Sequence, residues 1–201
     1  MKHMRSFTVL MLFLAVVLCS IAQSQIYPRK TLKISVSGGS SFLQSDINHN
    51  LVFGYQSGVY THGQLDFYPD SVLGLNIYLG YGKMVNTFEG TEGGNTFAHY
   101  GLGAELRLPN RSRFIPYAFF RFGRIEYVPY VAMNGKTTTA ANSSTNQVGV
   151  GLALEYMAVR NIAFKIEMFF SKLGADNLDN LYLGSTNDGF SSFSFGVGYY
   201  F

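Results

Sequence analysis

Residues 191–201, SSFSFGVGYYF, alternate with a strict period of two. Phe193, Phe195, Val197, Tyr199 and Phe201 share one face, and Ser192, Ser194, Gly196, Gly198 and Tyr200 share the other. Successive side chains of a β-strand point to opposite sides of the sheet, so this is a strand with one greasy face and one small, polar face. The greasy face needs an apolar neighbour, which is expected to lie outside the chain.

Seven earlier segments repeat the pattern. In residues 31–38, Leu32, Ile34 and Val36 oppose Lys33, Ser35 and Ser37. In 58–68, Val59, Leu65 and Phe67 oppose Tyr60, His62, Gln64 and Asp66. The third sets Leu73, Leu75, Ile77, Leu79 and Tyr81 against Gly74, Asn76, Tyr78, Gly80 and Gly82, and the fourth sets Tyr100, Leu102 and Leu106 against His99, Glu105 and Arg107. The fifth, 114–125, carries aromatics on both faces; Ala118, Phe120 and Phe122 are taken as the apolar side, because the other choice turns Arg121 outward. The sixth pairs Val148, Val150, Leu152, Leu154 and Tyr156 with Gln147, Gly149, Gly151, Ala153 and Glu155; the seventh pairs Ile162, Phe164, Ile166, Met168 and Phe170 with Ala163, Lys165, Glu167, Phe169 and Ser171.

Short turns at 69–71, 109–113 and 159–161 alternate with longer polar connections at about 39–55, 86–95, 127–146 and 173–189. That asymmetry predicts an all-β fold: an eight-stranded antiparallel transmembrane β-barrel with both chain ends on the short-turn side and four extracellular loops.

Alternation alone does not say which face points outward, since a soluble barrel shows the same period with its faces reversed. The polar face decides. Glycine packs poorly on a solvated strand, whereas an eight-stranded barrel is narrow enough to be filled by its own side chains, so large groups must alternate inside it with very small ones. Glu105, Arg107, Arg121, Glu155, Lys165 and Glu167 also suit an interior, where three acids and three bases can pair into a structural charge network. Turned outward, each basic residue at mid-membrane would cost about 2–4 kcal/mol. Aromatics near predicted strand ends (Phe67, Tyr68, Tyr81, Phe97, Tyr100, Phe114, Tyr117, Tyr156, Tyr199 and Phe201) are read as interfacial girdles.

Residues 1–24 read as a cleaved signal peptide: Lys2 and Arg5, an apolar run, then Ala22-Gln23-Ser24 as an A-x-A type site, with 20–22 as a second choice. Leu18 before Cys19 argues against a lipoprotein signal. The mature barrel domain is then 25–201. Cleavage removes the single cysteine and takes the formal charge from +3 to +1, so neither thiol chemistry nor nucleic-acid binding is expected.

Ser194, Gly196, Tyr199 and Phe201 resemble the C-terminal assembly signal of bacterial outer-membrane barrels, and with the signal segment and the 68–75 turn-and-strand the chain resembles the small porin-family, OmpA- or OmpX-like barrels, including the Bacteroidetes-type outer-membrane domain. The resemblance implies a monomer in the Gram-negative outer membrane, contacts with outer-membrane lipid and lipopolysaccharide, insertion by the barrel-assembly machinery, and an extracellular partner through the loops. Phe53, Tyr55, Tyr182 and Leu183, apolar groups in the first and last long connections, are candidates either to touch such a partner or to cap the barrel mouth. It implies no cell-wall tether, since no peptidoglycan-binding domain follows, and no wide pore.

No enzyme, cofactor or metal site is expected. His62 and His99 share a face with Asp66 and Glu105, yet neither has a serine two positions away, so both are read as hydrogen-bonding lumen residues. Asp176, Asp179 and Asp188, with Asn177, Asn180 and Asn187, lack the ordered spacing of a calcium loop. A barrel that transports a small solute or an apolar ligand is the alternative function, with lipid A modification behind it.

Overall fold

The computed structural model describes residues 31–44, 55–88, 91–108, 112–133, 136–139, 142–174 and 189–201. The signal segment, Phe53, Tyr182, Leu183 and the Asp/Asn cluster of 176–188 lie outside these residues.

Among the described residues nine strands form: β1 Thr31–Gln44, β2 Tyr55–Tyr68, β3 Leu73–Phe88, β4 Thr91–Arg107, β5 Phe114–Met133, β6 Lys136–Thr139, β7 Ser143–Val159, β8 Ile162–Leu173 and β9 Gly189–Tyr200. Eight of them close an antiparallel barrel in the order β1-β2-β3-β4-β5-β7-β8-β9, with β9 returning to β1 from Lys33↔Tyr200 to Gln44↔Gly189. Closure pairs the backbone all the way round, as a strand-built membrane protein requires, because hydrocarbon offers no hydrogen bonds to an open edge.

The faces fall as the alternation predicts. Outward-facing Ile34, Leu75, Ile77, Leu79, Leu102, Phe122, Leu152, Ile166 and Phe195 are exposed, whereas Lys33, Asp66, Glu105, Arg121, Glu155 and Glu167 are buried. The fifth strand resolves as chosen, with Phe120 and Phe122 outside and Arg121 at 1% exposure within. Such a molecule is inside out relative to a soluble one, and its apolar outside needs a bilayer.

Glycine gives the lumen its room. A Cβ on Gly74 would stand 2.6 Å from the Tyr68 ring, and one on Gly82 would stand 2.6 Å from Phe97. Both rings therefore lie over the bare backbone of a neighbouring strand.

Several strands outrun their sequence limits. β1 continues from residue 38 to Gln44, and β2 starts at Tyr55 rather than 58. The connection expected over 86–95 is mostly a ladder, paired from Asn86↔Gly93 to Phe88↔Thr91, with only Glu89 and Gly90 between β3 and β4. In 127–146, β5 runs to Met133 and pairs back onto β6, and β7 begins at Ser143. The contrast between faces fades in these stretches, since 86–95 is mostly polar residues and glycine whereas 127–133, YVPYVAM, is apolar at odd and even positions alike, while the backbone ladder needs no alternation of side chains to continue.

At the other end the turns are tight. Asp70 accepts from the amides of Val72 and Leu73, both at 2.7 Å, and the Leu73 and Val72 N–H groups hold its exposed carboxyl below the usual carboxylate range. Asn161 Nδ2 donates to Tyr200 O at 2.7 Å, and Phe201 N donates to Leu32 O at 2.9 Å, which ties the end of β9 to its neighbours.

Candidate functional site

The lumen gathers the chemistry of the chain. Among the described residues it encloses four bases, Lys33, Arg107, Arg121 and Lys165, and four acids, Asp66, Glu105, Glu155 and Glu167, each at most 4% exposed. They form two connected clusters.

Nearer the short turns, Lys33 Nζ lies 3.2 Å from both Asp66 Oδ2 and Glu155 Oε2. Arg107 Nη2 lies 3.2 Å from the same Glu155 oxygen, and Tyr200 OH donates to the other. Three tyrosines line this cluster: Lys33 Nζ is 5.4, 5.8 and 5.6 Å from the ring centres of Tyr68, Tyr117 and Tyr200, and the Arg107 guanidinium is 4.3 Å from Tyr68. Desolvated cations over aromatic faces gain on the order of 2 kcal/mol each.

At mid-barrel, Glu167 is the hub. Its carboxylate takes Arg121 Nη2 at 3.1 Å, Lys165 Nζ at 3.2 Å and His62 Nε2 at 3.0 Å. Gln64 joins the clusters, its amide NH2 donating to Glu105 at 2.7 Å while its carbonyl accepts from Arg121 at 2.7 Å. Glu105 also accepts from Tyr68 OH at 2.9 Å. Above them sits an aromatic layer in which His99 packs against Tyr60, Tyr78, Phe97 and Phe190, with ring centres 5.4–6.1 Å apart.

Of the six charges read from the sequence, the fold joins Arg107 to Glu155 and both Arg121 and Lys165 to Glu167. Lys33, Asp66, Gln64 and the three tyrosines belong to the network but were not counted in it. Lys33 and Asp66 do sit on the polar faces of β1 and β2 and meet across that strand pair; only closure, which seats β1 beside β9, carries Lys33 to Glu155, 122 residues away in the chain. The histidines are sealed: His62 stacks on Tyr60 at 5.5 Å, and His99 Nδ1 is 3.4 Å from Gln147 Oε1.

The assembly-signal residues divide between the faces. Ser194 is fully buried and Gly196 faces Ser37 in the lumen, while Tyr199 and Phe201 stand outside with rings 5.0 Å apart. The girdle reading needs a correction. Phe67, Tyr81, Tyr100, Phe114, Tyr199 and Phe201 do face outward, but Tyr68, Phe97 and Tyr117 are at most 2% exposed inside the lumen. Height along a strand does not choose the face; odd or even position does.

No protein-family model matches the sequence, and no curated protein matches it. Solved structures share the fold at low identity. Neisserial surface protein A is 13% identical, with a TM-score of 0.64 over 84% of this chain and 96% of that one. Ail, the attachment invasion locus protein of Yersinia pestis, is 14% identical, with a TM-score of 0.55 over 87% and 100%. A major outer membrane protein from Thermus thermophilus is 11% identical, with a TM-score of 0.56 over 85% and 99%.

Closed antiparallel pairing, an apolar outside and a charge-balanced inside, shared in fold with these proteins, define the class: an eight-stranded β-barrel of the bacterial outer-membrane type. The described strands carry that fold in full, with β6 as an addition beyond the rim of β5.

Proposed function

We propose that this chain is a non-enzymatic integral outer-membrane protein, a rigid barrel plugged by its own side chains that presents its extracellular connections for envelope structure or surface interaction. The observation that carries this reading is the cross-lumen chain Lys33–Glu155–Arg107 and Arg121–Glu167–Lys165, bridged by Gln64, with every member buried. A solute moving through would have to separate several desolvated ion pairs at once, each costing about 3–5 kcal/mol when one partner is lost. Insertion by the barrel-assembly machinery, with Ser194, Gly196, Tyr199 and Phe201 as the signal, contact with lipopolysaccharide and a monomeric state belong to the same reading. Purified protein in planar bilayers is expected to give no unitary currents; reproducible currents altered by Arg121→Ala would overturn the plugged scaffold.

One observation favours a transport barrel instead. The β1 wall of the lumen is built from small residues, and the buried hydroxyls of Ser35, Ser37 and Ser41 have no hydrogen-bond partner among the described residues. Uptake of small polar solutes into proteoliposomes, lost when Ser37→Phe fills that wall, is the outcome that this second reading requires.

A further inference from the structure

On the β5–β7–β8 wall the apolar band has a sharp upper limit. Its last outward residues are Phe122, Val148 and Phe170, all exposed. The next outward position on each strand is Arg124, Asn146 and Lys172, also exposed. Arg124 pairs in register with Asn146, and Val148 with Lys172. The two cations thus leave the wall two strands apart and two residues out of step, at about 12 Å.

On β7, Asn146 lies opposite Arg124 and on the Lys172 side of it, and one outward step higher is the Ser144 hydroxyl, to which Arg124 Nη2 donates. Glu126, one outward step above Arg124, accepts from Tyr100 OH at 2.8 Å. The patch therefore offers a planar guanidinium, an ammonium, an amide donor and a hydroxyl immediately above hydrocarbon.

We propose that Arg124, Ser144, Asn146 and Lys172 bind the phosphates of the outer-leaflet glycolipid, with its acyl chains on the shelf made by Phe122, Val148 and Phe170. This rests on the outer-membrane reading above and deepens it by naming one lipid and one wall. The patch lies at the end away from the tight turns, which is the extracellular end of such barrels. A guanidinium takes a phosphate through two parallel N–H donors, and a lysine takes one as a point charge. Two cations about 12 Å apart suit a headgroup with more than one phosphate better than a single phosphodiester.

The test uses the folded full chain in detergent micelles, with fluorescent bisphosphorylated lipid A, its monophosphorylated form and fluorescent phosphatidylglycerol as probes. One basic residue at an anionic lipid surface is worth about fivefold in affinity, so Arg124→Gln/Lys172→Gln is expected to lose on the order of tenfold or more for lipid A. Arg124→Lys should keep most of the binding. Lys83→Gln, on β3 with its ammonium 4.6 Å over the Tyr130 ring, should keep all of it. Monophosphorylated lipid A should bind more weakly, and phosphatidylglycerol weakly and without sensitivity to the double variant. Unchanged lipid A binding by the double variant overturns the proposal, and so does an equal loss of phosphatidylglycerol. A spin label at Ile77 in the same samples that reports water would instead refute the membrane barrel, so the two failures are distinguishable.

Discussion

Arg121 Nη2 and Glu167 Oε1 stand 3.1 Å apart at the middle of the lumen, on β5 and β8, with the rings of Tyr78 and Phe119 within 5.2 and 4.4 Å of the guanidinium. Neither side chain reaches solvent. Their worth lies in mutual neutralisation, since a lone buried charge is far costlier than a pair.

Removing one partner should therefore hurt more than removing both. Glu167→Gln is expected to lower unfolding stability in lipid vesicles by about 3–5 kcal/mol, and Arg121→Met combined with Glu167→Gln to recover part of that loss. Urea titrations of the two single variants and the double variant measure the coupling; strictly additive losses would contradict the network.

Glycines on the two faces should respond unequally. Gly74→Ala drives a methyl group into the Tyr68 ring at 2.6 Å and is expected to cost about 1–3 kcal/mol. At outward Gly63 the first neighbour is Ser35 O at 3.9 Å, so Gly63→Ala should stay within about 0.5 kcal/mol of the parent. The refolded fraction, read as the heat-sensitive shift in gel mobility, separates them.

Ile77 and Asn76 are adjacent in sequence yet half exposed and buried, respectively. Ile77→Arg should cost about 2–4 kcal/mol in a bilayer, the price of a cation at mid-membrane. Spin labels at Leu75 and Ile77 should be relaxed by oxygen, which concentrates among acyl chains, and shielded from a water-soluble nickel complex; the reverse ranking would invert the barrel.

The β2–β3 turn should carry a pH signature. Hydrogen bonds from Leu73 and Val72 depress the Asp70 carboxyl in the folded state. Its stabilisation is complete above the unfolded value of about 3.9 and disappears as pH falls through the depressed folded value. The unfolding midpoint of the parent relative to Asp70→Asn should be constant above about pH 5 and decline below about pH 4. A difference that does not vary with pH would show that the carboxylate charge contributes nothing to the turn.

Phe201 offers a way to separate stability from assembly. Its ring packs only on the outside, 5.0 Å from Tyr199. Phe201→Ser should leave the refolded barrel within about 1 kcal/mol of the parent while reducing the amount of folded protein in the cell envelope. Equal losses in both assays would reduce the residue to a structural contact.

Strand number, strand facing and the lipid-side residues were legible in the one-dimensional chain, because period-two alternation is a local property and hydrocarbon on one side makes it strict. The outward placement of Phe120 and Phe122 followed from the single charge of Arg121 between them. Two things were not legible. Beyond the apolar band the contrast between the two faces fades, 86–95 being mostly polar residues and glycine and 127–133 apolar at odd and even positions alike, so period two does not mark the ladder that β3, β4, β5 and β6 build there. The partners inside the lumen depend on which strands closure sets face to face, so Lys33 meets Glu155 across 122 residues of chain and Gln64 spans two charge clusters. Alternation decides which side of the wall a residue faces, but only the closed cylinder, with its tilt and register, decides whom it meets there.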